Sequence, residues 1–162
     1  MDFNNTSFAE DTFDLVWAIE SVCHTEDKDA FLKETFRILK PGGQLVLSDY
    51  FLTQKTKSQN DIDVIRKWSD LWQITLFENV ETFKLQLQKN GFRHIEASKE
   101  TKHIRPSALR MYLAFFPGLL ITTTRGIFKK KARDPHVWSA YWQYIALKRG
   151  LWDYYIINAT KE

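Results

Sequence analysis

Residues 13–52 read FDLVWAIESVCHTEDKDAFLKETFRILKPGGQLVLSDYFL, and the fold turns on this stretch. Residues 13–19 form a short apolar and aromatic run with Asp14 as its only charge, the pattern of a strand covered on both faces. A polar segment, residues 20–27, follows. Phe31, Leu32, Thr35, Phe36, Ile38 and Leu39 then recur at helical spacing on one face. Pro41-Gly42-Gly43 predicts the stop of that helix, since proline cannot continue it and glycine accepts a left-handed turn. Residues 44–49 predict a second strand, turning polar at Ser48 and Asp49.

Two buried strands joined by a helix should run parallel with a right-handed crossover. In such sheets ligands sit beyond the carboxyl ends of the strands. The polar residues just past the first strand, Glu20, Ser21, Cys23 and His24, fall there. A carboxylate can hold a cationic or hydroxyl-bearing molecule, and a histidine can take a proton near neutral pH. The bland alternative makes Glu20 and His24 solvated loop residues and Asp27 a helix cap. Cys23 reads as a small packed residue rather than a nucleophile.

The ordered series Asp2-Phe3, then Glu10-Asp11-Thr12-Phe13-Asp14-Leu15-Val16-Trp17, His24, and Arg37-Ile38-Leu39-Lys40-Pro41-Gly42-Gly43 resembles the second half of the class I S-adenosylmethionine-dependent methyltransferases. The wording WAIESVCH is similar to the post-strand motif of methyltransferases acting on sterols, tocopherols and related small or lipid-like acceptors. The resemblance implies an α/β fold: the C-terminal half of a Rossmann-like sheet, parallel strands with a final antiparallel strand, and helices on the faces. It implies S-adenosylmethionine as cofactor. Asp2 would bond the adenine amino group and Phe3 would pack on the ring. Trp17, Ala18 and Ile19 would line the cofactor, while Glu20 and His24 would face the acceptor. The family's glycine-rich turn and ribose-binding acid precede this region, and none of the six glycines here stands in a G-x-G pattern. The expectation is therefore a single truncated domain over residues 1–162, completed by a missing N-terminal half or by self-association. The rival is a non-catalytic binding module completed by another chain.

Composition narrows the classes. The chain is 44% hydrophobic and 27% charged, ordinary for one globular domain. Its net charge of +3 makes no case for nucleic acid. A single cysteine rules out an intrachain disulfide and suits a reducing, cytoplasmic setting. The histidines lack ligand spacing, so no metal is expected. The opening residues are wrong for a signal peptide.

Beyond residue 52, residues 50–60 read as a loop, 61–73 and 81–90 as helices, and 92–97 as a strand after Asn90-Gly91. Residues 106–120 predict a helix with Pro106 at its start, bent or ended at Pro117-Gly118. Residues 106–133 are expected to be a lid or acceptor-binding insertion. The basic run FKKKA, residues 128–132, reads as a solvated face. Beside the apolar residues 111–121 it would otherwise make peripheral contact with a membrane surface or an acidic partner. Residues 135–149 predict a helix ended by Gly150, and residues 152–160 the final antiparallel strand. The 15% aromatic share is assigned to core packing ahead of a large pocket.

Overall fold

The computed structural model describes residues 2–74, 77–128 and 135–162. The elements are β1 (Phe13–Ile19), a 3-10 turn (Val22–His24), α1 (Lys28–Ile38), β2 (Leu39–Leu52), α2 (Gln59–Trp72), α3 (Val80–Lys89), β3 (Phe92–Lys99), α4 (Thr101–Phe128), α5 (Pro135–Arg149) and β4 (Trp152–Lys161). The chain divides into two compact units. One comprises Met1–Leu52, Thr75–Glu100 and Asp153–Glu162; the other comprises Thr53–Ile74 and Thr101–Trp152.

The first unit carries a four-stranded sheet in the order β1-β2-β4-β3. β1 and β2 run parallel, with Trp17 opposite Val46. β3 and β4 run antiparallel, so the last strand of the sequence enters between β2 and β3, as the resemblance implies. Phe31 and Leu32 of α1, Phe83 and Leu87 of α3, and Leu45, Leu47 and Ile157 of the sheet form one buried cluster. Strand periodicity explains which side of β1 joins it: Val16 and Ala18 pack against the core. Leu15, Trp17 and Ile19 point the other way and are 52%, 70% and 57% exposed. The apolar run reads as a strand covered on both faces, but in this chain only one face of β1 is covered, as expected of a sheet lacking the strand that would pair with its free side. β1 is the sheet's edge strand, and its outer face is open.

Pro41-Gly42-Gly43 does not make the helix stop expected of it. α1 ends earlier, at Ile38: its C-cap Leu39 is already extended, with φ −74° and ψ 140°, and Lys40, the residue before the proline, also favours extended backbone. Leu39 is fully buried and already belongs to β2. The Pro-Gly-Gly segment is instead a bulge: Phe13 pairs with Leu39, but Leu15 pairs with Gln44. Gly42 sits at φ +78°, and a Cβ on Gly43 would lie 2.8 Å from the Lys40 carbonyl oxygen. Only glycines fit this doubling of the strand. β2 is accordingly longer than the strand expected at residues 44–49, and residues 50–52 are strand, not loop. At the next turn Gly91 has φ +95°, and a Cβ there would strike the Phe36 ring at 2.8 Å.

The opening loop is fastened to α1. Asn4 and Thr25 exchange side-chain hydrogen bonds, and Phe3 lies edge-on to Phe31. The amide and hydroxyl of Thr6 both donate to Glu34 Oε1. Arg37 closes a fork on the same carboxylate at 2.7 and 2.8 Å. These donors, Arg37 foremost, hold the Glu34 carboxyl down at about 2, from an ordinary 4.5. A depressed carboxyl stabilises the fold above its ordinary value, and that contribution drains away as pH falls toward 2. Glu34→Gln should therefore cost on the order of 3 kcal/mol at pH 7. The gap to the native chain should be nearly unchanged in urea titrations at pH 5, still above the ordinary carboxyl value, and should narrow sharply at pH 3. A gap independent of pH would show that the ion pair is not its source.

In the second unit, Trp68 of α2 is fully buried 5.2 Å from the Trp152 ring, and the Trp152 indole donates to the Gln143 carbonyl. Tyr112 of α4 stacks on Tyr144 of α5 at 4.6 Å. Much of the aromatic share is thus packing. α4 begins at Thr101, not Pro106, and neither Pro106 nor Pro117 ends it. An interior proline costs ~3 kcal/mol of helix. Here Ala108 and Phe115 are buried, and Phe115 meets Trp138 and Tyr141 of α5. That packing holds the helix through both prolines. Of the expected 106–133 insertion, residues 129–133 lie outside the described residues, as do residues 129–132 of the basic run. No helix among the described residues is long and apolar enough to cross a membrane.

Candidate active site at the strand ends

The carboxyl ends of β1 and β2 gather a cluster of polar side chains. Glu20 ends β1 in the left-handed region, φ +47°, uncommon for a residue other than glycine. Its amide donates to the Ser48 carbonyl at 2.8 Å, which anchors the turn to β2. Glu20 Oε1 accepts from the Tyr154 hydroxyl at 3.1 Å. Tyr154 comes from β4 and packs edge-on against Tyr50, ring centroids 5.1 Å apart.

Burial raises both phenols, and the charge of Glu20 pushes the same way. Tyr154 reaches about 12. Both phenols therefore stay protonated near neutral pH and act as donors, not bases.

Behind this layer lies a buried polar core. Asp49 is 2% exposed; its two oxygens accept from the Cys23 and Tyr50 amides at 2.9 and 2.8 Å. Burial raises its carboxyl above the usual range. Lys28, also buried, donates to the Thr25 carbonyl. Burial pulls its ammonium down, opposed by Glu78 and Asp49. Asp49 thus ties the end of β2 to the 3-10 turn that ends in His24. Cys23 is buried and its thiol is pushed up by that burial, which suits a packed residue rather than a nucleophile.

The expected site residues separate into groups. Glu20 joins Tyr154, and His24 stands exposed at the end of the 3-10 turn. Trp17 and Ile19 share the open face of β1, whereas Ala18 lies on the core side. Asp2 is exposed and accepts from the Asn4 amide. Phe3 is 41% exposed. Tyr154, Tyr50, Asp49 and Lys28 were not singled out from sequence. Asp49 carried a faint signal, a carboxylate at the end of an apolar run. Tyr154 carried none, because 134 residues separate it from Glu20.

A parallel β1-β2 pair with an antiparallel return strand, and a polar cluster at the strand ends, defines an open α/β fold with a ligand-binding end. Residues 1–47 match the methyltransferase domain family. The chain is 35% identical over 98 residues, 60% of its length, to an O-methyltransferase of Pyrenophora dematioidea, covering 36% of that protein. It is 36% identical over 90 residues, 52% of its length, to a 2-methyl-6-phytyl-1,4-hydroquinone methyltransferase of Synechocystis, covering 28% of it. A phosphoethanolamine N-methyltransferase of Haemonchus contortus, solved with phosphomonomethylethanolamine and S-adenosylhomocysteine, superposes on 99% of the chain. Its TM-score is 0.75 at 18% identity, and 36% of that protein is covered. The chain therefore resembles the S-adenosylmethionine-dependent methyltransferases in sequence and shares their fold. It spans about a third of the length of these relatives.

Proposed function

We propose that this chain supplies the acceptor side of a methyltransferase that uses S-adenosylmethionine and acts on a small or lipid-like molecule. The observation carrying this reading is the Glu20–Tyr154–Tyr50 cluster at the carboxyl ends of β1 and β2, where ligands of open α/β sheets sit. The cofactor would supply a methyl group already activated for in-line displacement. The exposed Asp2 carboxylate, the half-open Phe3 ring and the open side chains Trp17 and Ile19 suit a flat aromatic ring with an amino group. Ala18 would contribute backbone only.

In this reading Glu20 holds the acceptor's polar group, oriented by the Tyr154 hydroxyl, and His24 takes the acceptor's proton. The protein's main task is alignment, which by itself can supply much of the barrier reduction in a two-reactant displacement. Residues 106–128 serve as a lid or acceptor-binding insertion, with peripheral membrane contact. The open apolar face of β1 favours a second reading, a module completed by another chain and without activity of its own.

Labelled S-adenosylmethionine decides between them. In a protein containing these residues together with a glycine-rich cofactor turn, label should move to one of a panel of sterol, tocopherol, quinone and amine acceptors. Cofactor binding with no transfer to any of them would leave the non-catalytic module. The 162-residue chain alone should bind the cofactor weakly or not at all, because it holds only the adenine-side residues. Calorimetry giving micromolar affinity for it would show that nothing beyond these residues is required.

A further inference from the structure

We propose that α4 docks on an anionic lipid surface through one defined stripe of the helix. At 100° per residue, Lys102, Arg105, Leu109, Leu113 and Phe116 fall on one side. The side that packs on α5, holding Ala108, Tyr112 and Phe115, lies about a quarter-turn away. Leu109, Leu113 and Phe116 are 38%, 55% and 53% exposed, and Lys102, Arg105 and Arg110 are exposed as well. Large apolar side chains repeated along an open helix face mark an interaction surface.

Charge decides the occupant. Residues 101–133 hold eight of the chain's 23 Lys and Arg and none of its 20 Asp and Glu. The whole chain is only +3, so the remaining residues are net acidic. Three of the eight, Lys102, Arg105 and Arg110, lie along the helix beside the open apolar stripe, and the others follow it in the sequence. Along this stripe Lys102 and Arg105 precede the exposed Leu109, Leu113 and Phe116, so cations for lipid phosphates and apolar side chains for the acyl boundary share one side of the helix. The apolar tips enter the acyl boundary, and the long cationic side chains reach the phosphates. A second copy of this chain would bring the same cations to face these, which like-charge repulsion disfavours.

This gives the peripheral contact proposed above its surface and its lipid chemistry, and it does not depend on methyl transfer: either can fail while the other stands. The test is co-sedimentation of the 162-residue chain with vesicles of phosphatidylcholine alone and of phosphatidylcholine mixed with phosphatidylglycerol. Binding is expected on the mixed vesicles and should weaken as salt rises. Lys102→Gln, Arg105→Gln and Arg110→Gln should each cost about fivefold on the mixed vesicles. Leu113→Glu and Phe116→Glu should each cost at least about tenfold. All these positions are exposed, so circular dichroism should show the helices retained. Equal binding to both vesicles, no binding, or full binding by the glutamate variants would overturn the proposal. So would concentration-dependent dimerisation abolished by Leu113→Glu without vesicle binding.

Discussion

Light scattering of the isolated chain is expected to give a dimer or larger assembly, and Trp17→Lys combined with Ile19→Thr is expected to return it to monomer. Among the described residues β1 lies at the edge of the sheet, hydrogen-bonded to β2 alone, so its outer backbone groups are a template for another strand. The face beside that edge is apolar: Leu15, Trp17 and Ile19 stand more than half exposed, over Gln44, Val46 and Ser48 of β2. Covering each of the three gains roughly 1–2 kcal/mol. Two copies would gather six such side chains against an association cost of ~4–15 kcal/mol. Apolar area alone therefore leaves little surplus, and edge hydrogen bonds must add to it. Micromolar association is the expectation. An N-terminal half of a methyltransferase sheet, present as another chain or segment, would compete for the same edge. A monomer at all concentrations whose Leu15–Trp17 amides exchange freely would sink the idea. Both substitutions lie on the open face, away from Val16 and Ala18, so the core should survive them.

The second large effect concerns turnover. In an active protein containing these residues, Glu20→Gln and His24→Ala should each lower kcat by about 10²–10⁴, with cofactor affinity nearly unchanged. Glu20→Gln is the sharper test. The amide oxygen can still accept from the Tyr154 hydroxyl, so the turn and the aromatic pair persist while the negative charge is lost. Tyr154→Phe keeps the charge and removes its orienting donor; a loss of about tenfold is expected, the size of one hydrogen bond to a charged group. His24 is exposed at the end of the 3-10 turn, so its replacement should leave the buried core intact. Full turnover in both the Glu20 and His24 variants would return these residues to solvent and remove the acid–base part of the proposal.

The chain itself dictates the order of its elements. β1, α5 and the final strand lie where the apolar patterns put them, and Asp27 caps α1 by accepting from the Ala30 amide. These are local matters of side-chain period, caps and turn residues, settled within a few positions of sequence. Glu20 and His24 could be singled out because they follow directly on a strand end. Other features only the tertiary structure decided. Pro41-Gly42-Gly43 reads as a stop, yet pairing with Phe13 and Leu15 turns it into a bulge. Pro106 and Pro117 read as boundaries, yet packing of α4 on α5 carries the helix through both. The open face of β1 depends on what lies next to it, which no period of residues 13–19 encodes. Tyr154 meets Glu20 only because β4 returns between β2 and β3. In each case the deciding energy comes from contacts between segments far apart in the chain, where local propensity is the weaker term.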